Sequence, residues 1–290
     1  MLSTYQLSVL YEIVRSLHVF HSPEKVYTYL VEQLSDAIKA ESASVFEVDS
    51  ASKKLVLRAC FGPKKAELEN AIHKLDLPLG KGLAGWAAMY NQPSIVNDVR
   101  LTSRFNPAID EAIGYKTRNT LCVPIANKDK VLGVVEFLNR QSGHFSKDEQ
   151  ELVMQAAKQA AVAVENSKLF AELEESRHFT DSMLSNLSGG LIAVNNQELI
   201  THFNPAAERI LQMTAAEVIG KKYEETLKDY PPILKEIMLA VSARERKLRQ
   251  ELYCSGRKDK KSMKIGYSTF LVQDKQSEFL GAGLIFQHIE

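Results

Sequence analysis

Apolar residues near the start of the chain recur at intervals of three and four. Leu7, Leu10, Tyr11, Val14 and Leu17 fall on one stripe, which predicts an amphipathic helix over residues 5–18. Ser22, Pro23 and Glu24 then supply an N-cap and a first-position proline for a second helix running to about Lys39. From there the period shortens. Ser42–Asp49 and Lys54–Gly62 are apolar-rich and flank a polar turn, the pattern of a β-hairpin. A short helix over about Lys64–Lys74 comes next. In the segment after it, Gly80, Gly82 and Gly85 surround a small-residue helix, with a proline turn and a short strand behind it. Asn119–Ile125 and Val131–Arg140 are two more strands around an Asn-Lys-Asp-Lys turn, and they close an antiparallel sheet.

From Ser146 to about Met183 the pattern is helical, with no proline or glycine to interrupt it. Leu152, Ala156, Ala163, Phe170 and Leu173 fall near heptad seam positions, with Asn166 among them. A helix of this length cannot bury its whole stripe within one small domain. The stripe is therefore expected to meet a second copy of itself, with Asn166 favouring one register of a homodimer at some loss of stability. The competing expectation is that the alanines pack only on the protein's own sheet and the remaining helix is an exposed linker.

A compact pattern then restarts. Gly190–Asn195 and Glu198–Asn204 read as strands, and Asn204 caps a helix with Pro205 at its first position. A helix over roughly Pro232–Ala243 precedes three long strands, about Leu248–Ser255, Ser262–Val272 and Glu278–His288. The chain thus reads as α+β with two domains, each a central antiparallel sheet flanked by helices, joined by a long signalling helix. The expected boundaries are 1–165 for the first domain, 166–185 for a helical linker and 186–290 for the second domain. A length of 290 residues agrees with two cores, since roughly 100–200 residues is usual for one.

Charge narrows the partners. Lys plus Arg and Asp plus Glu each total 36, so no global field attracts phosphate backbones or anionic lipid, and nucleic acid is not expected as a partner. The basic residues between Arg244 and Lys261 are interleaved with acids and read as a solvated helix end and hairpin. Cys60, Cys122 and Cys254 are far apart and lie in apolar runs, which fits a reducing compartment. The first helix has no basic leader or cleavage site, and no window approaches the ~18 apolar residues of a membrane span. The expected location is the cytoplasm.

Several blocks in order carry a family resemblance. The helix pair, the hairpin, the segment GKGLAGWAAMYNQPSIVNDV, the strands TRNTLCVPI and VLGVVEFLNR, and the helix opening FSKDEQELV make residues 1 to about 165 resemble a GAF domain. Residues from about 178 to 290 resemble a PAS domain, most clearly in GLIAVNNQELITHFNPAAERILQMTAAEVIGKKYEETL and the last strand GAGLIFQHIE. The resemblance implies, for each domain, a sheet presenting one face to a small ligand or partner under helices and loops. For the GAF-like domain it suggests a pocket lined by Phe46, Trp86, Asn97, Asp98, Asn119 and Glu136; for the PAS-like domain, one involving His202, Asn204 and Tyr267. It also suggests the N-terminal sensory region of a longer protein, relaying a helix rearrangement to a downstream output domain such as the histidine kinase of a two-component system. The alternative is a non-sensing dimerisation or adaptor module for protein partners.

The cofactor chemistry is narrower. A covalent bilin would need a thiol next to a histidine, and no Cys-His pair exists. A photochemically active flavin would need a Gly-Arg-Asn-Cys helix, where this chain has GKKYEETLKD. The cyclic-nucleotide pattern is matched in part by Asn139-Arg140 and Phe145 to Glu149, with arginine for lysine and the acidic pair one residue closer, so that ligand class stays open. The seven histidines are scattered with no i, i+4 pair, which gives no metal or haem set. Lys81 is followed by Gly82 rather than Ser or Thr, so the glycine-rich segment is no phosphate-binding P-loop. No nucleophile elbow, phospho-acceptor box or ATP lid is present, and the chain is not expected to be an enzyme.

Overall fold

The computed structural model describes residues 3–17, 19–72, 75–255 and 262–289. Two compact units divide the chain between residues 174 and 175. The first contains α1 (Thr4–Leu17), α2 (Pro23–Ile38), β1 (Ala40–Asp49), β2 (Lys54–Phe61), α3 (Lys65–Ala71), α4 (Gly82–Tyr90), β3 (Ser94–Val96), α5 (Ala108–Ile113), β4 (Thr120–Asn127) and β5 (Lys130–Arg140). It also holds the first part of a single helix, α6 (Lys147–Ser185), within which the division falls. The strands form one antiparallel sheet ordered β2-β1-β5-β4-β3.

Side-chain alternation divides this sheet into two faces, each with its own core. Val45, Val135, Phe137, Leu121 and Val123 face α2 and α6, where Leu30, Leu34, Leu152, Ala156, Ala160 and Val164 meet them. Phe46, Val134 and Cys122 face the opposite way, toward Leu68, Leu83, Ala87 and Val99. Burying a side chain of leucine or phenylalanine size stabilises by ~1.5–3 kcal/mol. Both faces are therefore held by packing.

The first helix corrects the sequence expectation. Its buried residues are Ile13 and Leu17, with Val9 and Leu10 packed alongside, while Leu7 and Tyr11 are exposed. Two stripes at three-and-four spacing overlap in this helix, and contact with α2 selects the one that includes Ile13. The chain between β3 and β4 also holds a 3-10 turn (Val99–Leu101) and α5, neither of which the apolar pattern had indicated.

The second unit contains β6 (Gly190–Asn195), β7 (Ile200–Phe203), α7 (Pro205–Leu211), α8 (Ala215–Val218), α9 (Tyr223–Thr226), α10 (Pro231–Ser242), β8 (Gln250–Ser255), β9 (Ser262–Gln273) and β10 (Phe279–Ile289). Its sheet is antiparallel and ordered β7-β6-β10-β9-β8. The helices cover one face, where Ile192, Leu211, Tyr230, Ile233, Ile237, Leu284 and Phe286 form the core. Part of the basic segment, residues 256–261, lies outside the described residues. No helix among the described residues is long and apolar enough to cross a membrane.

Candidate functional site

One row of small and polar side chains crosses the first sheet beneath α3, α4 and α5. Cys60 on β2 pairs with Ser44 on β1, Ser44 with Glu136 on β5, and Glu136 with Cys122 on β4. Alternation adds Ser42, Phe46 and Leu138 to the same face. Above this floor lies a cavity of about 290 Å³. Its walls include Leu55, Leu68 and Phe105, with further residues from 61–65, 76–78, 81–85 and 106–117. Small-ligand sites usually measure about 300–1,000 Å³. This one suits a small molecule.

Glycine sets how closely α4 approaches the cavity wall. A Cβ on Gly85 would lie 2.8 Å from the Pro78 carbonyl oxygen, so any larger residue would push the helix off the 76–80 loop. Gly82, which opens α4, has φ +70, a backbone that L side chains rarely adopt.

Glu136 is the electrostatic centre of the floor. Its carboxylate accepts from the Cys122 thiol at 3.4 Å, and the Thr120 hydroxyl lies 3.6 Å from that same sulfur. No lysine, arginine or histidine among the described residues pairs with it. It is enclosed by protein yet keeps surface toward the cavity. Burial pushes its pKa up to about 6, and the Asp110 carboxylate adds to the rise. Ser44, only 5% exposed and also lining the cavity, has no partner for its hydroxyl among the described residues.

The other charged groups around the cavity are mostly occupied. Asp110 accepts from the Thr117 backbone N–H at 2.7 Å and from the Thr117 hydroxyl at 2.8 Å. Lys64 pairs with Glu67 at 2.9 Å, and Lys54 with Asp76 at 2.8 Å. Lys65 lies 4.0 Å from Glu69. Lys81, exposed at the N-terminus of α4, has no such partner among the described residues. Burial raises the Cys60 thiol to about 11 and the Cys122 thiol well above its ordinary value, so both stay protonated and are poor nucleophiles.

Of the six residues expected to line this site, Phe46 and Glu136 do so and four do not. Trp86 is turned to another side of α4, where the Arg104 guanidinium lies 4.4 Å above its ring. Asn97 is exposed. Asp98 caps the 3-10 turn and pairs with Arg100 at 2.7 Å, which draws its carboxyl down to about 2. Asn119 is spent on the sheet, where its carbonyl accepts from the Arg140 backbone N–H at 2.9 Å. Ser42, Ser44, Asp110 and Tyr115, absent from the sequence-based set, line the cavity instead.

The partial cyclic-nucleotide pattern forms a brace. Asn139 is 1% exposed and binds the strap over β5: its carbonyl accepts from the Arg118 N–H, and its amide donates to the Tyr115 hydroxyl and the Lys116 carbonyl. Arg140 donates to Glu149 at 2.9 Å. Glu149 in turn accepts from the backbone N–H and the hydroxyl of Ser146, a capping box at the start of α6. The strand that carries Glu136 is thus locked to the first turn of the long helix.

The family models match two regions in order: a GAF domain over residues 22–164 and a PAS fold over residues 178–289. The chain is a GAF domain followed by a PAS domain. A dual 3',5'-cyclic-AMP and -GMP phosphodiesterase 11A of Takifugu rubripes is 32% identical over 101 residues, covering 34% of this chain and 11% of that protein. A probable 3',5'-cyclic phosphodiesterase pde-5 of Caenorhabditis elegans is 25% identical over 173 residues, covering 58% of this chain and 24% of that protein. The chain therefore spans less than a quarter of either relative's length. Among solved structures, the GAF domain of a phosphoenolpyruvate-protein phosphotransferase from Coxiella burnetii aligns with TM-score 0.51 and 22% identity, over 59% of this chain and 99% of that one. This supports the GAF fold.

In the PAS domain His202 and Asn204 border one cleft between β7 and the end of α6, and Tyr267 lies apart from it. Asn204 is 5% exposed and fully employed: its carbonyl accepts from the Leu191 and Ala207 N–H groups, and its amide donates to the Leu184 and Gly189 carbonyls. His202 is exposed, 3.1 Å from the Thr201 hydroxyl, on the sheet face opposite Tyr267. Tyr267 belongs to the core, and burial beside Glu236 raises its phenol.

The long helix departs from its expected register. Ala156 and Ala163 are buried against the GAF domain itself, as the competing expectation held, because alanines let α6 lie close on the sheet and α2. Asn166, Phe170 and Leu173 lie outside that contact, with the Phe170 ring stacked 5.2 Å from His21. The exposed apolar stripe is Val162, Leu169 and Leu173, with Asn166 between, at spacings of four, three and four.

Proposed function

We propose that this chain is the sensory and relay part of a cytoplasmic signalling protein. A small molecule or partner in the GAF cavity biases the packing of α6 across a homodimer. The PAS domain passes that bias to a downstream output domain such as a histidine kinase, and catalysis belongs to that output domain.

The observation that carries this reading is the course of β5. Glu136 lies on the cavity floor, and four residues later Arg140 is ion-paired to Glu149 in the first turn of α6. A shift of β5 on ligand binding therefore acts directly on the helix. Such coupling requires only that the ligand bind two helix arrangements with different affinity.

The exposed Val162, Asn166, Leu169 and Leu173 stripe has the spacing of a two-stranded coiled-coil seam and supports the homodimer. Leu173→Asp places a charge in that seam and is expected to convert the dimer to monomer in light scattering. A fully dimeric variant would remove the helix from the mechanism.

The adaptor alternative is favoured for the PAS domain by its filled interior, where Tyr230, Tyr267 and Phe286 occupy the space between sheet and helices. There the signal passes by packing rather than by ligand binding. A cyclic nucleotide is the ligand class suggested for the GAF cavity by the named relatives. A thermal shift by cyclic AMP or cyclic GMP would support it, although the residues of the partial pattern are already engaged in the brace.

A further inference from the structure

The cavity floor combines two features that a ligand would complement. Glu136 presents an enclosed carboxylate with no cationic partner among the described residues. Its neighbour across the strands, Ser44, is 5% exposed and has a hydroxyl without a partner among them. A buried polar group left unsatisfied costs ~1–3 kcal/mol, and more when charged. Glu136, whose charge has only the Cys122 thiol against it, and Ser44, whose hydroxyl has no partner among the described residues, lie side by side, open into one cavity and form a recognition surface for hydrogen-bond donors. Phe46, Leu55, Leu83 and Phe105 supply apolar walls around it.

We infer that the GAF cavity selects a small ligand bearing a cationic nitrogen, an amine, amidine or guanidine, whose N–H groups bond to the Glu136 carboxylate and the Ser44 hydroxyl while its body packs on the apolar walls. This inference rests on the reading of the cavity as a ligand site. Asp110 adds negative charge beside the cation but offers fewer free acceptor positions, since each of its oxygens already accepts from Thr117. The mouth lysines do not fill the role, since none reaches Glu136.

Binding also senses pH. The ionised carboxylate is the form that holds the cation, so affinity falls as pH drops through the Glu136 transition. The groups facing Glu136 are Cys122 from β4, Cys60 from β2 and Asp110 from α5, with Lys64, Lys65 and Lys81 at the rim. The Glu136→Gln variant isolates its share of any pH dependence.

The test is isothermal titration of the full 290-residue chain with benzamidine, benzamide and benzoate, three probes of nearly one shape and different charge. At about pH 8 benzamidine is expected to bind at least about tenfold more tightly than the other two, the ratio one charge-assisted hydrogen bond supplies. That preference should shrink at about pH 5, vanish in Glu136→Gln and weaken in Ser44→Ala, with circular dichroism checking that both variants fold. Equal or tighter binding of benzamide or benzoate, or a preference that survives Glu136→Gln, overturns the inference while leaving the cavity a ligand site. Failure of all three probes to bind also overturns the inference, and the reading of the cavity as a ligand site then rests on its own test with cyclic nucleotides.

Discussion

Replacing Glu136 with glutamine removes a charge that the folded state holds at a disadvantage. The carboxyl is pushed from an ordinary 4.5 to about 6, chiefly by burial. For an acid, a folded-state pKa above the unfolded one means that folding disfavours the ionised form. No penalty exists below the unfolded value, where both states are protonated. Stability is then lost as pH rises through the window from 4.5 to about 6, and the whole penalty applies above it. That rise corresponds to ~2 kcal/mol. Glutamine keeps the shape and still accepts from Cys122, so Glu136→Gln should match the wild type near pH 4 and exceed it by ~2 kcal/mol near pH 8. For a domain of this size that corresponds to roughly 4–8 °C in melting temperature. Trp86 is the chain's one tryptophan and lies in the GAF domain, so urea unfolding followed by its fluorescence reports that domain alone. A stability difference that does not change with pH, or a less stable glutamine variant near pH 8, would refute the argument.

Two further substitutions test the supports of the site and of the second domain. Glu149→Ala leaves Arg140 without its partner and removes the capping box of α6, and should destabilise the GAF domain by ~2–3 kcal/mol in the same fluorescence assay. Asn204→Ala removes four hydrogen bonds, among them the N-cap of α7. It should lower PAS-domain stability by ~2–3 kcal/mol, measured by amide hydrogen exchange in β6 and α7, with Asn204→Asp retaining the cap and part of the loss restored.

What the sequence made legible was periodicity, and what it hid was azimuth. Apolar runs such as Val131–Arg140 and the breaker-free stretch from Ser146 identify a strand and a long helix, because one residue's neighbours determine each period. Which side of α4 carries Trp86, or which of two overlapping stripes of α1 is buried, depends on the element packed against it. For the same reason the alanines of α6 read as a seam for a second copy, whereas they pack on the protein's own sheet. Within the strands a signal was available. Ser42, Ser44 and Phe46 alternate on one face of β1, and hydroxyls at alternate positions of an otherwise apolar strand mark a polar floor. Residues 97–119, rich in turn formers, gave no period, and so α5 and the cavity-lining Asp110 and Tyr115 were missed.

Native mass spectrometry of the purified chain reads subunit number and bound small molecules together, and so tests the dimeric, ligand-binding GAF domain in one spectrum. The expected spectrum is a dimer mass with one small molecule per protomer, displaced or lost in a variant whose cavity is filled, such as Ser44→Phe. A monomer of apo mass, unshifted by cationic or neutral small molecules in the same spectra, would contradict it.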